Sequence, residues 1–103
     1  MYILLVFCTD GMSTSLLGYR MESAAKKLGV DCTIETCHIS SLNKYIVRDA
    51  DMILIGPQDR FQYNNLKKLY APTPVEVVDA RLYGTMNGEK VLEQARQVLQ
   101  RQE

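Results

Sequence analysis

The chain has 103 residues, with 12 basic and 12 acidic side chains, so its formal charge is zero. Apolar residues make up 47% and charged residues 23%, a globular balance that excludes an intrinsically disordered chain. Zero net charge argues against a nucleic-acid partner, and no apolar run approaches the ~20 residues of a membrane-spanning helix.

One domain, residues 1–103, is expected at this length. The opening MYILLVFC has no basic start and reads as a strand, not a signal peptide. Residues 2–7, YILLVF, form the continuous apolar run of a strand buried on both faces. Residues 8–15, CTDGMSTS, read as a polar loop. A helix of about 15 residues follows, with Leu17, Met21, Ala24, Ala25 and Leu28 at helical spacing. Gly29 stands where a C-cap belongs.

Residues 31–37, DCTIETC, alternate like an edge strand. Ser40 or Ser41 is the expected cap of a short helix through Arg48, with Leu42, Tyr45 and Ile46 inward. MILI, 52–55, is a second fully buried strand, stopped by Gly56-Pro57. A helix over about 59–70 is expected to use Phe61, Leu66 and Leu69. Pro72 and Pro74 bound the turn before a strand over 75–78. Residues 79–87 read as a loop, and 88–101 as a helix with Val91, Leu92, Ala95, Val98 and Leu99 inward.

Four strands alternating with four helices on short connections predict an α/β three-layer sandwich. Two strands read as central and one as an edge, which the parallel sheet order 2-1-3-4 satisfies. Ligands of such sheets bind beyond the strand C-termini, where the order reverses. That point lies between strands 1 and 3, flanked by CTDGMSTS and GPQD.

Cys8 therefore ends a strand at the mouth of the sheet and opens a loop into a helix N-terminus. Backbone N–H groups and the helix dipole there favour a thiolate and a phosphate placed on it. Thr9, Asp10, Gly11, Met12, Ser13, Thr14 and Ser15 complete this expected phosphate loop. Gly11 permits left-handed or close backbone geometry, Ser13, Thr14 and Ser15 bring hydroxyls, and Met12 suits an adaptable docking surface. Against this stands the reading of Cys8 as a small buried strand-end residue. Low-molecular-weight cysteine phosphatases have a similar loop, with Cys, five residues, Arg, then Ser or Thr. Thr14 occupies the arginine position, so the clamp that stabilises phosphoryl hydrolysis is missing.

Asp79 ends strand 4 near the mouth. It reads either as a leaving-group acid or as a hydrogen-bonded turn residue. Tyr83 either shields the loop or contacts a partner, or else packs beneath the last helix. Gln58 is placed to contact the loop. Cys32, Cys37 and His38 do not make a metal site: the two cysteines are five apart on a strand, so they face opposite ways. With three cysteines a fully paired set is impossible, which favours a reduced, cytoplasmic chain.

CTDGMSTSLL after an apolar strand, GPQ after the third strand, and PVEVVDARLYGTMNGEKVL resemble the enzyme IIB component of bacterial sugar phosphotransferase systems. The resemblance is closest to the lactose/cellobiose (chitobiose) class and covers essentially the whole chain. It implies that Cys8 takes a phosphoryl group from a phosphohistidine on enzyme IIA. The group would then pass to a sugar, a β-disaccharide such as cellobiose, chitobiose or lactose, held by the membrane transporter enzyme IIC. No cofactor or metal is implied. Asp10 departs from the small residue expected there, so its carboxylate should face solvent or cap a backbone N–H. A phosphatase-like hydrolase and a non-catalytic flavodoxin-like binding module are the alternative readings.

Overall fold

A computed structural model describes residues 1–101. Strand β1, Tyr2–Phe7, pairs in parallel with β2, Thr33–His38, and with β3, Met52–Ile55. The short β4, Val75–Val77, pairs with β3, so the sheet order is β2-β1-β3-β4, the expected one. The apolar runs explain the centre of the sheet. Ile3–Val6 of β1 and all four residues of β3 are completely buried, because helices cover both faces.

On one face lie α1, Gly11–Leu28, and α5, Gly88–Arg101. Their Leu17, Met21, Val91 and Leu92 pack on Ile3, Leu5, Met52 and Leu54. The other face carries α2, Lys44–Arg48, and α3, Tyr63–Tyr70. There Val47 and Leu66 pack on Leu4, Val6, Ile53 and Ile55. A short α4, Ala80–Gly84, links β4 to α5. Helices α1 and α5 touch at Gly88, where an added Cβ would stand 2.4 Å from the carbonyl carbon of Arg20. Gly88 thus serves close helix packing, while Asn87 accepts the Lys90 N–H at the start of α5.

Several elements differ from the sequence reading. Helix α1 starts at Gly11 and takes in most of the expected loop, because Asp10 supplies its cap. Leu28, at its end, is 48% exposed. The second helix is shorter than expected and is capped by Asn43, after a separate 3-10 helix over Ile39–Ser41. Val47, not Tyr45, fills its core position, and Tyr45 is exposed. The expected helix over 59–70 is a 3-10 helix over Pro57–Gln62 followed by α3. That break rotates Phe61 to the surface, and Leu69 is exposed as well. Short apolar segments do not declare which turn of a helix faces inward; packing decides it.

Candidate functional site

The C-terminal ends of β1 and β3 carry two segments that meet. Cys8, Thr9 and Asp10 turn the chain from β1 into α1, and Gly56 to Asp59 turn it out of β3. Cys8 is half-buried at this rim.

Asp10 is the N-cap of α1: its Oδ1 accepts the Ser13 N–H at 3.0 Å. Its carboxylate is therefore turned onto the helix backbone, one of the two placements expected for it. The cap occupies one of the orphan amides of the first turn. Those of Gly11 and Met12 remain at the helix start, alongside the positive end of an 18-residue helix dipole. Gly11 is not in the left-handed region; among the glycines only Gly29 has positive φ. Its lack of a side chain serves close approach instead, since a Cβ there would stand 2.8 Å from the Phe7 ring. That ring also meets His38 edge-on, with centroids 5.3 Å apart. Phe7 thus wedges the turn between the end of β2 and the start of α1.

Thr14 is completely buried. It lies on the same helical face as Leu17, Gly18 and Met21, all buried. Its hydroxyl donates to the Asp10 carbonyl at 2.6 Å and lies 3.0 Å from the Tyr83 hydroxyl. Gln58 Nε2 donates to the same Tyr83 oxygen at 3.1 Å. Since the Thr14 proton is committed to Asp10, Tyr83 must donate to Thr14. The chain of donors runs Gln58, Tyr83, Thr14, Asp10 carbonyl, and it supports the turn from beneath. The Thr14 hydroxyl, expected to face a phosphate, is committed to this buried network. Met12, by contrast, is 89% exposed, Ser15 is exposed and Ser13 half-buried.

Asp79 caps α4: its Oδ1 accepts the N–H groups of Arg81 and Leu82 at 2.9 and 3.2 Å. Its geometry is that of a turn residue. Gln58 reaches Tyr83, and only through it the turn. Tyr83 has its ring in the core beside α5, as one expected placement has it, and its hydroxyl under the turn, bonded to Thr14. Cys32 packs with the core on the α1/α5 face and Cys37 with the opposite one, so the sheet separates them. Burial pushes both thiols up from the ordinary cysteine value.

Sequence reasoning missed Asp59, read only as the start of a helix. Its side chain is 1% exposed. Oδ2 accepts the Cys8 backbone N–H at 2.8 Å, and Oδ1 accepts the Thr9 hydroxyl at 3.4 Å. An acidic residue three positions beyond the glycine that ends β3 was the available signal.

The chain matches the model of the family "PTS system, Lactose/Cellobiose specific IIB subunit" over residues 3–94. It belongs to that family. Its relatives include the oligo-beta-mannoside-specific EIIB component of Bacillus subtilis, 38% identical over 94 residues, spanning 89% of this chain and 90% of that one. The galactose-specific EIIB component of Lactococcus lactis is 31% identical over 103 residues, spanning 94% and 95%. Among solved structures, the cellobiose-specific IIB component of Borrelia burgdorferi superposes with a TM-score of 0.78 at 41% identity, over 98% and 93% of the two chains. A low-molecular-weight protein tyrosine phosphatase of Bacillus subtilis superposes with a TM-score of 0.66 at 11% identity, over 98% of each chain. That second likeness is one of fold. As a IIB component, this chain is a sugar-specific part of a phosphotransferase system of the lactose/cellobiose type.

Proposed function

We propose that Cys8 is the phosphoryl carrier of this IIB component. Its thiolate attacks the phosphorus of a phosphohistidine on enzyme IIA in line with the leaving imidazole nitrogen. The S–P bond forms, the N–P bond breaks, and the electron pair leaves with the imidazole. The N–H groups of Gly11 and Met12 and the helix dipole stabilise the equatorial oxygens. In the second half-reaction a hydroxyl of a sugar held by enzyme IIC attacks the phosphorus. The S–P bond then breaks and the thiolate returns, while the transporter supplies the base for the sugar proton. The acceptor is a β-disaccharide such as cellobiose, chitobiose or lactose, and the exchange takes place in the cytoplasm, in transient association with the transporter.

The observation that carries this reading is the position of Cys8 at the rim of the central strand, where the turn enters the N-terminus of α1. Family membership supplies the phosphotransfer context. Two features support transfer over hydrolysis. No arginine stands at position 14, and that side chain is buried, so no guanidinium clamps a transition state from there. Met12, Leu16 and Tyr19 are exposed along one side of α1 that starts at the turn, a surface for the protein that brings or takes the phosphoryl group.

The test is intact mass spectrometry of the chain after incubation with a phosphorylated enzyme IIA of the same class. The expected result is the addition of one phosphoryl group, lost again when IIC-containing membranes and the acceptor sugar are added. No mass increase, or an adduct that the sugar does not discharge, contradicts the proposal.

A further inference from the structure

Asp59 is a buried carboxyl group that the transfer steps do not use. It sits at a kink after β3, with φ −107° and ψ 17°, and its own N–H is held by the Gly56 carbonyl at 2.9 Å. Both carboxylate oxygens act as acceptors, Oδ2 of the Cys8 N–H and Oδ1 of the Thr9 hydroxyl. No cation compensates it among the described residues, where the one ion pair is Arg48–Asp49. The neighbouring Arg60 donates to the Pro57 carbonyl instead. A carboxylate this deep is costly to bury, and its partners are the backbone of Cys8 and the hydroxyl of Thr9.

We propose that Asp59 is a positioning residue for phosphoryl transfer, pinning the Cys8 peptide from below and holding a negative charge at the foot of the turn that keeps the phosphoryl group ready to leave. This rests on the reading of Cys8 as the carrier. The pinning follows from geometry. With the Cys8 N–H drawn down onto Asp59, the thiol stays at the rim, and the amides at the start of α1 are left to meet the phosphoryl oxygens. The charge follows from burial. A buried carboxylate bonded to the same residue opposes both a thiolate and a phosphocysteine, and it opposes the phosphocysteine more, because that group carries up to about two negative charges and the thiolate left after transfer carries one. The helix N-terminus attracts the phosphoryl group and Asp59 opposes it, which suits a carrier that must release what it binds.

Other titratable groups surround the turn. Asp10 is half-buried and bonded to the Ser13 amide, and His38 lies at the end of β2 with its Nδ1 taking the Ser40 amide. Tyr83 reaches the turn through Thr14, and Asp79, at the start of α4, is exposed. Asp59 differs from all of them in being fully buried and bonded to the Cys8 peptide itself.

The test compares wild type with Asp59→Asn, which keeps an acceptor for the Cys8 N–H and removes the charge. Alkylation of Cys8 by iodoacetamide at neutral pH is followed by peptide mass spectrometry, and the lifetime of the phosphorylated chain is measured beside it. The expected result is alkylation at least about threefold faster and a phosphoenzyme lifetime longer by a similar factor. Asp59→Ser, a smaller uncharged acceptor, serves if the asparagine variant does not fold. A purely structural aspartate would lower Tm and leave the alkylation rate unchanged. An unchanged rate in a folded, uncharged variant overturns the proposal. Alkylation needs no phosphoryl donor, so the outcomes separate. If wild type accepts no phosphoryl group while alkylation still responds, the carrier reading fails and the action of Asp59 on the thiol stands. If wild type is phosphorylated and the variants alkylate at the wild-type rate, only the role of Asp59 fails.

Discussion

The hydroxyl of Tyr83 lies 3.0 Å from that of Thr14, joining the segment after β4 to the first turn of α1. Both residues are buried, and each hydroxyl has a second partner. The turn that carries Cys8 is therefore braced by a part of the chain distant in sequence.

Tyr83→Phe removes the middle of that brace. Thr14 keeps its bond to the Asp10 carbonyl, but the Gln58 amide loses its acceptor. An orphaned, partly buried donor costs roughly 1–3 kcal/mol. Urea denaturation should show a loss of about 1–2 kcal/mol, and transfer from phosphorylated enzyme IIA should slow. Wild-type stability and transfer in this variant would show that the brace is idle.

Asp10 acts first as a cap. Asp10→Ala should cost about 1 kcal/mol, because the Ser13 amide loses its partner. Asp10→Asn keeps a capping oxygen and should stay within a few tenths of a kcal/mol of wild type. Equal destabilisation in the two variants, measured by urea denaturation, would show that the charge and not the cap matters.

Thr14→Arg distinguishes the loop from that of the phosphatases it resembles in fold. The side chain at this position is enclosed by Tyr83 and the helix, so an arginine has no route to the mouth without displacing core atoms. The expected outcome is a destabilised chain with no gain in aryl phosphate hydrolysis. A stable variant with raised hydrolysis would mean that the side chain reaches the phosphate after all.

How far the sequence could show this differs from residue to residue. The runs at 2–7 and 52–55 declared the doubly covered centre of the sheet, and the observed strand order is one that satisfies it. The facing of Thr14 was hidden, because reading residues 8–15 as loop discarded helical spacing. Once the helix starts at Gly11, Thr14 falls in line with Leu17, Gly18 and Met21. Asp59 was hidden for a related reason. Its contact with Cys8 depends on a 3-10 turn and a kink that a single-helix reading of 59–70 erases. Phe61 and Leu69, inward on a single helix over 59–70, lie outside.

Gly88→Ala probes the packing that sets α5 against α1. Its Cβ would stand 2.4 Å from backbone atoms of Arg20, which no rotamer change relieves. Overpacking of this kind costs typically about 1–3 kcal/mol. Thermal unfolding should show Tm lower by roughly 4–8 °C for each kcal/mol lost. An unchanged Tm would mean that the helices separate freely.

The central claim is that Cys8 alone carries the phosphoryl group. Cys32 and Cys37 lie on opposite faces of the sheet, and burial holds both thiols toward the protonated, unreactive form. Neither opens onto an α-helix: Cys32 precedes β2, and Cys37 lies within β2 before a 3-10 helix of only three residues. The direct measurement is phosphopeptide mapping of wild type and the three single Cys→Ser variants after exposure to phosphorylated enzyme IIA. Label is expected on the Cys8 peptide in wild type, Cys32→Ser and Cys37→Ser, and a folded Cys8→Ser should pass no phosphoryl group to sugar. Label on Cys32 or Cys37, or undiminished transfer in Cys8→Ser, would contradict the claim.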